Sequence, residues 1–474
     1  MTNQGCGGTI IEDESAKIKE LRGCVVDMKL GTNLTEGPIL KKFIFFVIPL
    51  IFTGFLQQLY SVADAVIIGH FASETALAEV GATTSMFALI ITLFTGLAVG
   101  TNVVCASFFG ADNKEGLERA LHTSVLLAMF IGVPLMMVGW FGASFFLKII
   151  GTPDDIMAGA TLYMKIHFLG IPASLLFNYG AAVIRAIGNT KKPFYILAVS
   201  GFINVVLNLI CVMVFKLGVA GVAISTVVSQ IVSAVWVILI FTRKDAELRL
   251  SLSKLRIYKR EFLKILSIGI PSGVNGILFS LSNVFVQSAI NSFGKTTVAA
   301  HSVAWNYMAF CSLLVSAHEQ GTVSFVGQNM GALKYDRVKS VIKKAIVICG
   351  VATVLFSSFV VWQARPLLGI FTPDPGVVET GLAQIYIAIS VYVLYVPNQI
   401  IGGALRGMGK SVLPTAINIL GICGLRVVWI AWVWPFNPTL EMVYYSYGAS
   451  WLISGIAMAV AYMIVGRKRI EVVE

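Results

Sequence analysis

Charged residues are scarce in this sequence. Only 12% of the 474 residues are Asp, Glu, Lys or Arg and 57% are hydrophobic, whereas soluble domains carry roughly 25% charged residues. The net charge of +11 would favour nucleic-acid binding in a soluble protein, but in a chain this apolar the position of the charges matters more than their sum. We therefore expect a membrane protein with no nucleic-acid partner.

Several other sequence patterns are absent. The apolar runs lack the alternation over about ten residues that marks an outer-membrane barrel, which leaves α-helices as the spanning structure. No HExxH or GxSxG motif occurs, and GGALRGMGKS (402–411) has Ala404 where a phosphate-binding loop requires glycine. We expect neither an enzyme nor a resident cofactor.

The cysteines do not indicate disulfides or a metal site. Five of the seven fall inside apolar segments, and none forms a CxxC pair or a Cys/His metal spacing. We interpret them as small buried hydrophobic residues. They are Cys6, Cys24, Cys105, Cys211, Cys311, Cys349 and Cys423.

Apolar runs of about twenty residues or more recur along the chain and predict twelve transmembrane α-helices. Clusters of Gly, Pro and charged residues separate these runs. The predicted spans are 43–69, 80–109, 119–147, 157–184, 193–215, 219–242, 265–290, 298–330, 341–364, 380–404, 412–434 and 443–466.

Basic residues are distributed unequally between the two sides of these spans. Of the 35 Lys and Arg residues, 29 lie in the two terminal segments and in the loops after the even-numbered spans. Cytoplasmic loops of membrane proteins are enriched in these residues. The asymmetry predicts a multi-pass protein of the cytoplasmic (inner) membrane with both termini in the cytoplasm.

The two halves of the chain resemble each other. IIGTPDD (149–155) recurs as GIFTPDP (369–375), RAIGNTKKP (185–193) as RGMGKSVLP (406–414), and SFFGADN (107–113) as QNMGALK (328–334), at offsets of 220 or 221 residues. Such a spacing indicates a tandem duplication. Since each half has six spans, we predict two six-helix bundles related by a pseudo-two-fold axis along the membrane normal, with a site near their cleft.

The duplication sets the predicted domain boundaries. We expect a disordered cytoplasmic tail over residues 1–35, because residues 1–27 are polar and lack the apolar core of a signal peptide. An N-lobe over 36–242, a basic cytoplasmic linker over 243–264, a C-lobe over 265–469 and a short tail over 470–474 follow.

Polar side chains of the first half are predicted to lie at one depth in the membrane. Asp64, Asn208 and Thr226 each lie about six to eight residues inside a predicted span, which at 1.5 Å per residue places them roughly 10 Å below the outer surface. Six side chains near this level form the predicted site for a coupling cation or proton: Asp64, Tyr60, Asn204, Asn208, Thr226 and Tyr163.

Oxygen atoms of this kind are the ligands that hard cations prefer. A carboxylate that lacks a cation in such a place takes up a proton instead, so Asp64 would change its charge by binding either Na⁺ or H⁺. The alternative interpretation is that Asp64 faces water near a helix end, and that the amides and hydroxyls only join helices by hydrogen bonds.

The second half carries different polar residues. Val286 and Leu425 stand where the first half has Asp64 and Asn204. Its embedded charges are Glu319 and Arg426, whose depths differ by some 5 Å. We expect either a buried ion pair between these two residues or a Glu319 that faces the cavity between the bundles.

Two further stretches are informative, IPLIFTGFLQQLYSVADAVIIGHF (48–71) and FVGQNMGA (325–332). Together with the paired loops at 185–193 and 406–414, they resemble the bacterial multidrug and toxic compound extrusion (MATE) family of the multidrug/oligosaccharidyl-lipid/polysaccharide exporter superfamily. The resemblance extends over residues 36–469. The charged GxxxDRxGRR-like loop of the major facilitator superfamily is missing between spans 2 and 3.

The resemblance implies export of bulky, often cationic organic compounds in exchange for H⁺ or Na⁺, by rocking of the two lobes. It also implies that Asp64, Tyr60, Asn204, Asn208 and Thr226 form the N-lobe site. Asn208 stands where many relatives carry an acid, and the acids that some relatives carry in spans 7 and 10 are also missing.

We therefore predict a secondary active multidrug efflux antiporter that functions as a monomer in the lipid bilayer. Its inter-lobe cavity is expected to be apolar and aromatic, to suit flat lipophilic cations. The close alternative is a lipid-linked precursor flippase of the same superfamily, and a non-transporting membrane scaffold or sensor is an alternative of another class. The predicted cavity residues are Gln57, Asn178, Met86 and Phe87.

Overall fold

The chain folds into two bundles of long α-helices. The computed structural model describes residues 31–71, 74–243 and 248–470, and these ranges contain no β-strand. The N-lobe consists of α1 (Ile39–Phe71), α2 (Glu74–Gly110), α3 (Lys114–Ile149), α4 (Asp154–Leu169), α5 (Ile171–Ala186), α6 (Lys191–Val214) and α7 (Gly218–Thr242). The C-lobe consists of α8 (Lys259–Asn291), α9 (Lys295–Gly331), α10 (Tyr335–Trp362), α11 (Ala364–Phe371), α12 (Pro375–Gly407), α13 (Val412–Phe436) and α14 (Leu440–Ile470).

The predicted number of spans is confirmed. In the described part of the chain eleven helices are long and apolar enough to cross a membrane, and α4 with α5 makes a twelfth span that is bent by 44°. The bend falls at Gly170, two residues before Pro172, because Pro172 lacks an N–H group and its ring clashes with the carbonyl of the residue four positions earlier, Phe168. At Gly132 of α3, a Cβ atom would lie only 2.7 Å from the Pro172 Cα, so α3 packs directly against the bend.

Each lobe has its own hydrophobic core, and one helix of each lobe reaches into the other. Phe43 and Phe46 of α1 pack edge to face on Phe325 of α9, with ring centroids 5.2 and 5.6 Å apart. In the opposite direction, Ile265 and Ile268 of α8 lie in the core of the N-lobe. The first helix of each repeat therefore ties the two lobes together.

We call one end of the molecule the basic end; it holds the connections 110–113, 187–190, 332–334 and 408–411. The lobes meet there backbone to backbone, because glycines allow close approach. A Cβ atom on Gly110 would lie 1.9 Å from the carbonyl oxygen of Gln328, and one on Gly331 would lie 2.0 Å from the carbonyl oxygen of Ser107. Deeper in the bundle, at the wall of the space between the lobes, a Cβ atom on Gly96 would lie 2.2 Å from the nitrogen of Gly273. Such approaches exclude any side chain at these positions, so the lobes are in full contact at this end.

Hydrogen bonds seal the same contact. The Gln328 side chain donates to the carbonyl oxygen of Ala186 (2.7 Å) and accepts from the backbone N–H of Leu34 (2.9 Å). Ser324 donates to Asn102 across the lobes at 3.2 Å. Leu34 is buried, so the prediction of a disordered tail up to residue 35 is wrong for residues 31–35, because they pack between the lobes. Residues 1–30 lie outside the described part.

The segment between the lobes is shorter than predicted and is docked on the N-lobe. The C-lobe begins at Lys259 of α8, not at residue 265. The Nε2 atom of His122 in α3 accepts a hydrogen bond from the backbone N–H of Ser251 at 3.0 Å. Leu250 donates its N–H to the carbonyl oxygen of Phe241. These bonds hold the linker against α3 and α7.

Candidate coupling site and inter-lobe cavity

Four of the six predicted side chains form one continuous chain of contacts across three helices of the N-lobe. Asn208 of α6 donates from its amide nitrogen to the Asp64 carboxylate of α1 at 2.5 Å, and the same nitrogen lies 3.4 Å from the Asn204 side-chain oxygen. Asn204 in turn donates to the Thr226 hydroxyl of α7 at 3.4 Å. Residues that were grouped by their predicted depth therefore do lie together, and the bonds between different helices join residues 22 and 144 positions apart.

The site contains an acceptor without a partner. The side-chain oxygen of Asn208 is buried, and no hydrogen-bond donor among the described residues reaches it. Directly after Asn208, α6 widens into a π-helical turn over Ile210–Val214, a distortion that often accompanies functional sites. Asp64 itself is half-buried. A buried acceptor next to a carboxylate is an arrangement that attracts a cation.

The two predicted tyrosines lie beside this chain. Tyr60 donates its hydroxyl to the carbonyl oxygen of Ala198 at 3.1 Å, and its ring lies against Gly201, where a Cβ atom would approach it to 1.9 Å. Tyr163 is buried against Phe87, with ring centroids 6.3 Å apart. No hydrogen bond joins either tyrosine to Asp64 in the described ranges, so both serve as walls of the site.

The donor set fits a small hard cation or a proton. Asp64 supplies a carboxylate, Asn204 and Asn208 supply amide oxygens, and Thr226 supplies a hydroxyl. In the portion of the chain that the structure describes, no group of three His, Cys, Asp or Glu residues could hold a metal ion. With a single carboxylate, this donor set differs from that of a resident metal centre, which usually brings several charged ligands.

The predicted ion pair of the C-lobe is not formed. Glu319 of α9 binds Arg406 of α12 in a salt bridge, with side chains 18% and 4% exposed. Arg426 instead donates to Asn283 (2.9 Å) and Ser450 (3.2 Å). The other alternative, a Glu319 that borders the cavity between the lobes, is the one observed. Depth alone could not decide between the two, because it does not fix the direction in which a helical side chain points.

Arg426 is fully buried among aromatic rings. Its guanidinium lies 4.3 Å from the ring centroid of Tyr447, 5.5 Å from that of Phe279 and 6.0 Å from that of Trp451. Aromatic faces attract cations most strongly where water is excluded. Tyr447 is the repeat counterpart of Thr226, so this fixed positive charge occupies the region of the C-lobe that corresponds to the coupling site of the N-lobe.

A cavity of about 460 Å³ lies between the lobes. Gln57 and Asn178 line it, as predicted, whereas Met86 and Phe87 do not. Phe87 packs inside the N-lobe against His167, with ring centroids 4.2 Å apart, and Met86 packs against the same core. Both side chains point into the N-lobe instead of the cavity, because this part of α2 packs against α4.

The prediction of an aromatic cavity is wrong, because Phe177 is the one aromatic residue of its lining among the described residues. The prediction of an apolar wall holds in part, since apolar atoms make up the larger share of the cavity surface although many lining residues carry a polar group. Among the lining residues are three charged side chains, Arg185, Arg406 and Glu319. Both arginines were counted as loop residues from the sequence alone. The signal that could have identified them is the repeat, because they open the two equivalent loops RAIG and RGMG.

Comparison with known proteins agrees with this architecture. The MatE family model matches residues 49–210 and 271–432, the two halves of the duplication. The fold and the cavity are those of a two-lobed helical membrane transporter. The chain belongs to the MatE family.

Similar proteins include one described as "Probable multidrug resistance protein YoeA" of Bacillus subtilis, 27% identical over 439 residues, which cover 90% of this chain and 93% of that protein. "Multidrug export protein MepA" of Staphylococcus aureus is 23% identical over 385 residues, which cover 81% of this chain and 85% of that protein. A solved structure described as an outward-facing MATE family multidrug resistance transporter superposes with a TM-score of 0.85 at 22% identity, over 93% of this chain and 98% of that one. This last likeness concerns the fold.

Proposed function

We propose that the protein is a secondary active multidrug exporter of the inner membrane, which exchanges bulky organic compounds for H⁺ or Na⁺ by alternating access. The observation that carries the proposal is the chain from Asp64 through Asn208 and Asn204 to Thr226, buried in one lobe of a two-lobed fold with a cavity between the lobes. The names of the similar proteins, which include multidrug resistance and export, support it.

The orientation follows from the distribution of charge. Because Lys and Arg concentrate at the basic end, we infer that this end is cytoplasmic, with both termini on that side. The lobes are in contact there through Gly110 and Gln328. The structure then corresponds to the outward-facing state, in which the cavity is reached from outside.

The coupling step would act through α1. Asp64 lies on the outer half of this helix and bonds to Asn208, whereas Phe43 and Phe46 on its inner half pack on the C-lobe. Pro49, which lies between the two halves, weakens the helix at that point. Neutralising the Asp64 charge by H⁺ or Na⁺ changes its bond to α6, and α1 carries the change to the contact between the lobes. Such a ligand drives transport only if it binds the two states with different affinity.

The test is efflux of ethidium from energised membrane vesicles, measured at several pH values with and without Na⁺. We expect Asp64→Asn to lose gradient-driven efflux. The matched control is Asp336→Asn, since the Asp336 side chain is 97% exposed at the basic end, and this variant should keep wild-type efflux. Undiminished efflux by Asp64→Asn under every gradient would contradict the coupling role.

One observation favours the alternative function, a lipid-linked precursor flippase: Arg185 and Arg406 both line the cavity. Glu319 neutralises Arg406, however, which leaves a single uncompensated arginine among the lining residues. A polyphosphate would be expected to require several. Drug export in a monomer therefore remains the better supported proposal.

A further inference from the structure

The wall of the inter-lobe cavity is built from pairs of residues related by the duplication. At the offset of 221 residues, Arg185 of α5 corresponds to Arg406 of α12, Asn178 to Gln399, and Thr95 of α2 to Ser316 of α9, and all six line the cavity. Each pair has the same charge and nearly the same polarity. The cavity thus retains the two-fold symmetry of the duplication.

One pair breaks this symmetry in charge. Glu319 corresponds to Ala98, and both line the cavity. In the C-lobe Glu319 binds Arg406. In the N-lobe Ala98 offers Arg185 no such partner, and no carboxylate of the described residues lies within 4.0 Å of the Arg185 guanidinium.

The space beside Arg185 and the space beside Arg406 also differ, and only the second leaves room for a carboxylate. Gly403 lies beside Glu319, where a Cβ atom would come within 2.9 Å of the Glu319 Cγ. Its repeat counterpart is Ala182, whose methyl group occupies the corresponding space. The C-lobe has room for a carboxylate beside its arginine, and the N-lobe does not supply one. Two differences between the repeats therefore leave Arg185 without a carboxylate partner: Ala98 in place of Glu319, and Ala182 in place of Gly403.

A half-buried arginine beside a cavity is expected to bind an anion. Arg185 is half-buried and borders the cavity, and a cation removed from water is stabilised by a counter-charge. Both arginines lie in the last turn of a helix, where carbonyl groups favour a positive charge. That effect is common to the two lobes and does not account for the carboxylate that only Arg406 receives.

We propose that the transported compound supplies the missing anion: Arg185 binds a carboxylate, phosphate or sulfonate group of an amphiphilic organic substrate. The guanidinium presents a planar fork that suits such groups. The inference rests on the proposed export function and specifies its substrate class. Compounds with one negative group beside an apolar body are favoured over purely cationic ones, which agrees with a lining that combines apolar surface with one net positive charge.

The test compares two probes that differ in one charge, rhodamine B with its free carboxylate and rhodamine B ethyl ester. Their Kd values are measured by fluorescence polarisation with the purified full-length protein in phosphatidylcholine nanodiscs. We expect wild type to bind the acid more tightly than the ester. In Arg185→Gln the Kd of the acid should rise about ten-fold or more, as loss of a charged hydrogen bond implies, and Arg185→Lys should restore part of the preference.

A second variant tests the proposal without touching the arginine. The double change Ala98→Glu with Ala182→Gly rebuilds the C-lobe arrangement in the N-lobe and should abolish the preference for the acid. Arg119→Gln, an exposed change at the basic end, is the control and should leave the ratio of the two Kd values unchanged. Equal binding of acid and ester by wild type, or a preference that survives in Arg185→Gln, would overturn the proposal.

The source of the anion is resolved by competition. Displacement of the acid probe by short-chain phosphatidylglycerol, at concentrations where the phosphatidylcholine analogue has no effect, supports the site and assigns it to a lipid headgroup. Displacement by neither lipid, with the preference intact, supports a soluble organic substrate. Since binding is measured without a gradient, the two proposals fail separately. Failure of gradient-driven efflux of both ethidium and the rhodamine B acid would count against the export function and leave the assignment of Arg185 to be judged by the Kd ratio.

Discussion

Replacing Gly96 by alanine tests whether the contact between the lobes sets the conformational state. A Cβ atom at this position would lie 2.2 Å from the nitrogen and 2.3 Å from the Cα of Gly273, about 1.5 Å short of ordinary van der Waals separation. Both groups are backbone and cannot turn aside, so α2 and α8 must move apart. Overpacking of this kind costs about 1–3 kcal/mol, which corresponds to a factor of about 5–150 in the equilibrium between closed and open forms of the contact between the lobes.

Hydrogen exchange followed by mass spectrometry measures this shift in the purified protein. We expect faster exchange of the amides in residues 96–110 and 321–331 of Gly96→Ala, because these segments form the sealed contact. Gly81→Ala is the matched control on the same helix, since a Cβ atom there meets nothing within 4 Å. If the two variants exchanged alike at the basic end, the reasoning that glycine packing holds the lobes closed would be refuted.

Two further changes probe the stability of the individual lobes, by thermal unfolding in detergent. Glu319→Gln leaves Arg406 buried without its counter-charge and should lower the free energy of unfolding by about 1–3 kcal/mol. The control Arg365→Gln breaks an ion pair whose side chains are more than 60% exposed and should cost under about 1 kcal/mol. Equal losses of stability in the two variants would argue against the buried pair. Gly201→Ala should lower the unfolding midpoint and also impair efflux, because the new methyl group would meet the ring of Tyr60; a fully stable and active Gly201→Ala would show that α1 and α6 need not pack this closely.

The sequence was sufficient to predict the number of spans, the duplication and the contacts around Asp64. Span length and the repeat are carried by many residues at once, so single errors do not matter. The polar residues of the N-lobe could be grouped because equal depth on neighbouring helices restricts them to one layer. Asp64, Asn208 and Thr226 do meet in that layer.

The faces of the helices could not be predicted in the same way. A helix that is apolar all round shows no periodic pattern to tell lipid from protein. The placing of Phe87 in the cavity therefore failed, and the sequence could not decide whether Glu319 pairs with Arg426 or faces the cavity. Arg185 and Arg406 were missed because their charge made them resemble loop residues. A side chain at the inner end of a span can border the cavity and still count as a loop residue in sequence.

The guanidinium of Arg426 has a consequence for the energetics of transport. A permanent cation held against Tyr447 repels a mobile one, so under the proposed function only the N-lobe half of the duplication would bind a coupling ion. An exchanger with one monovalent ion per cycle gains about 2.3 kcal/mol from each 100 mV of membrane potential and about 1.4 kcal/mol from each pH unit. At 100 mV and one pH unit, the steepest concentration ratio it could sustain for a neutral compound is therefore several hundred-fold, and a twin-site carrier could reach the square of that value.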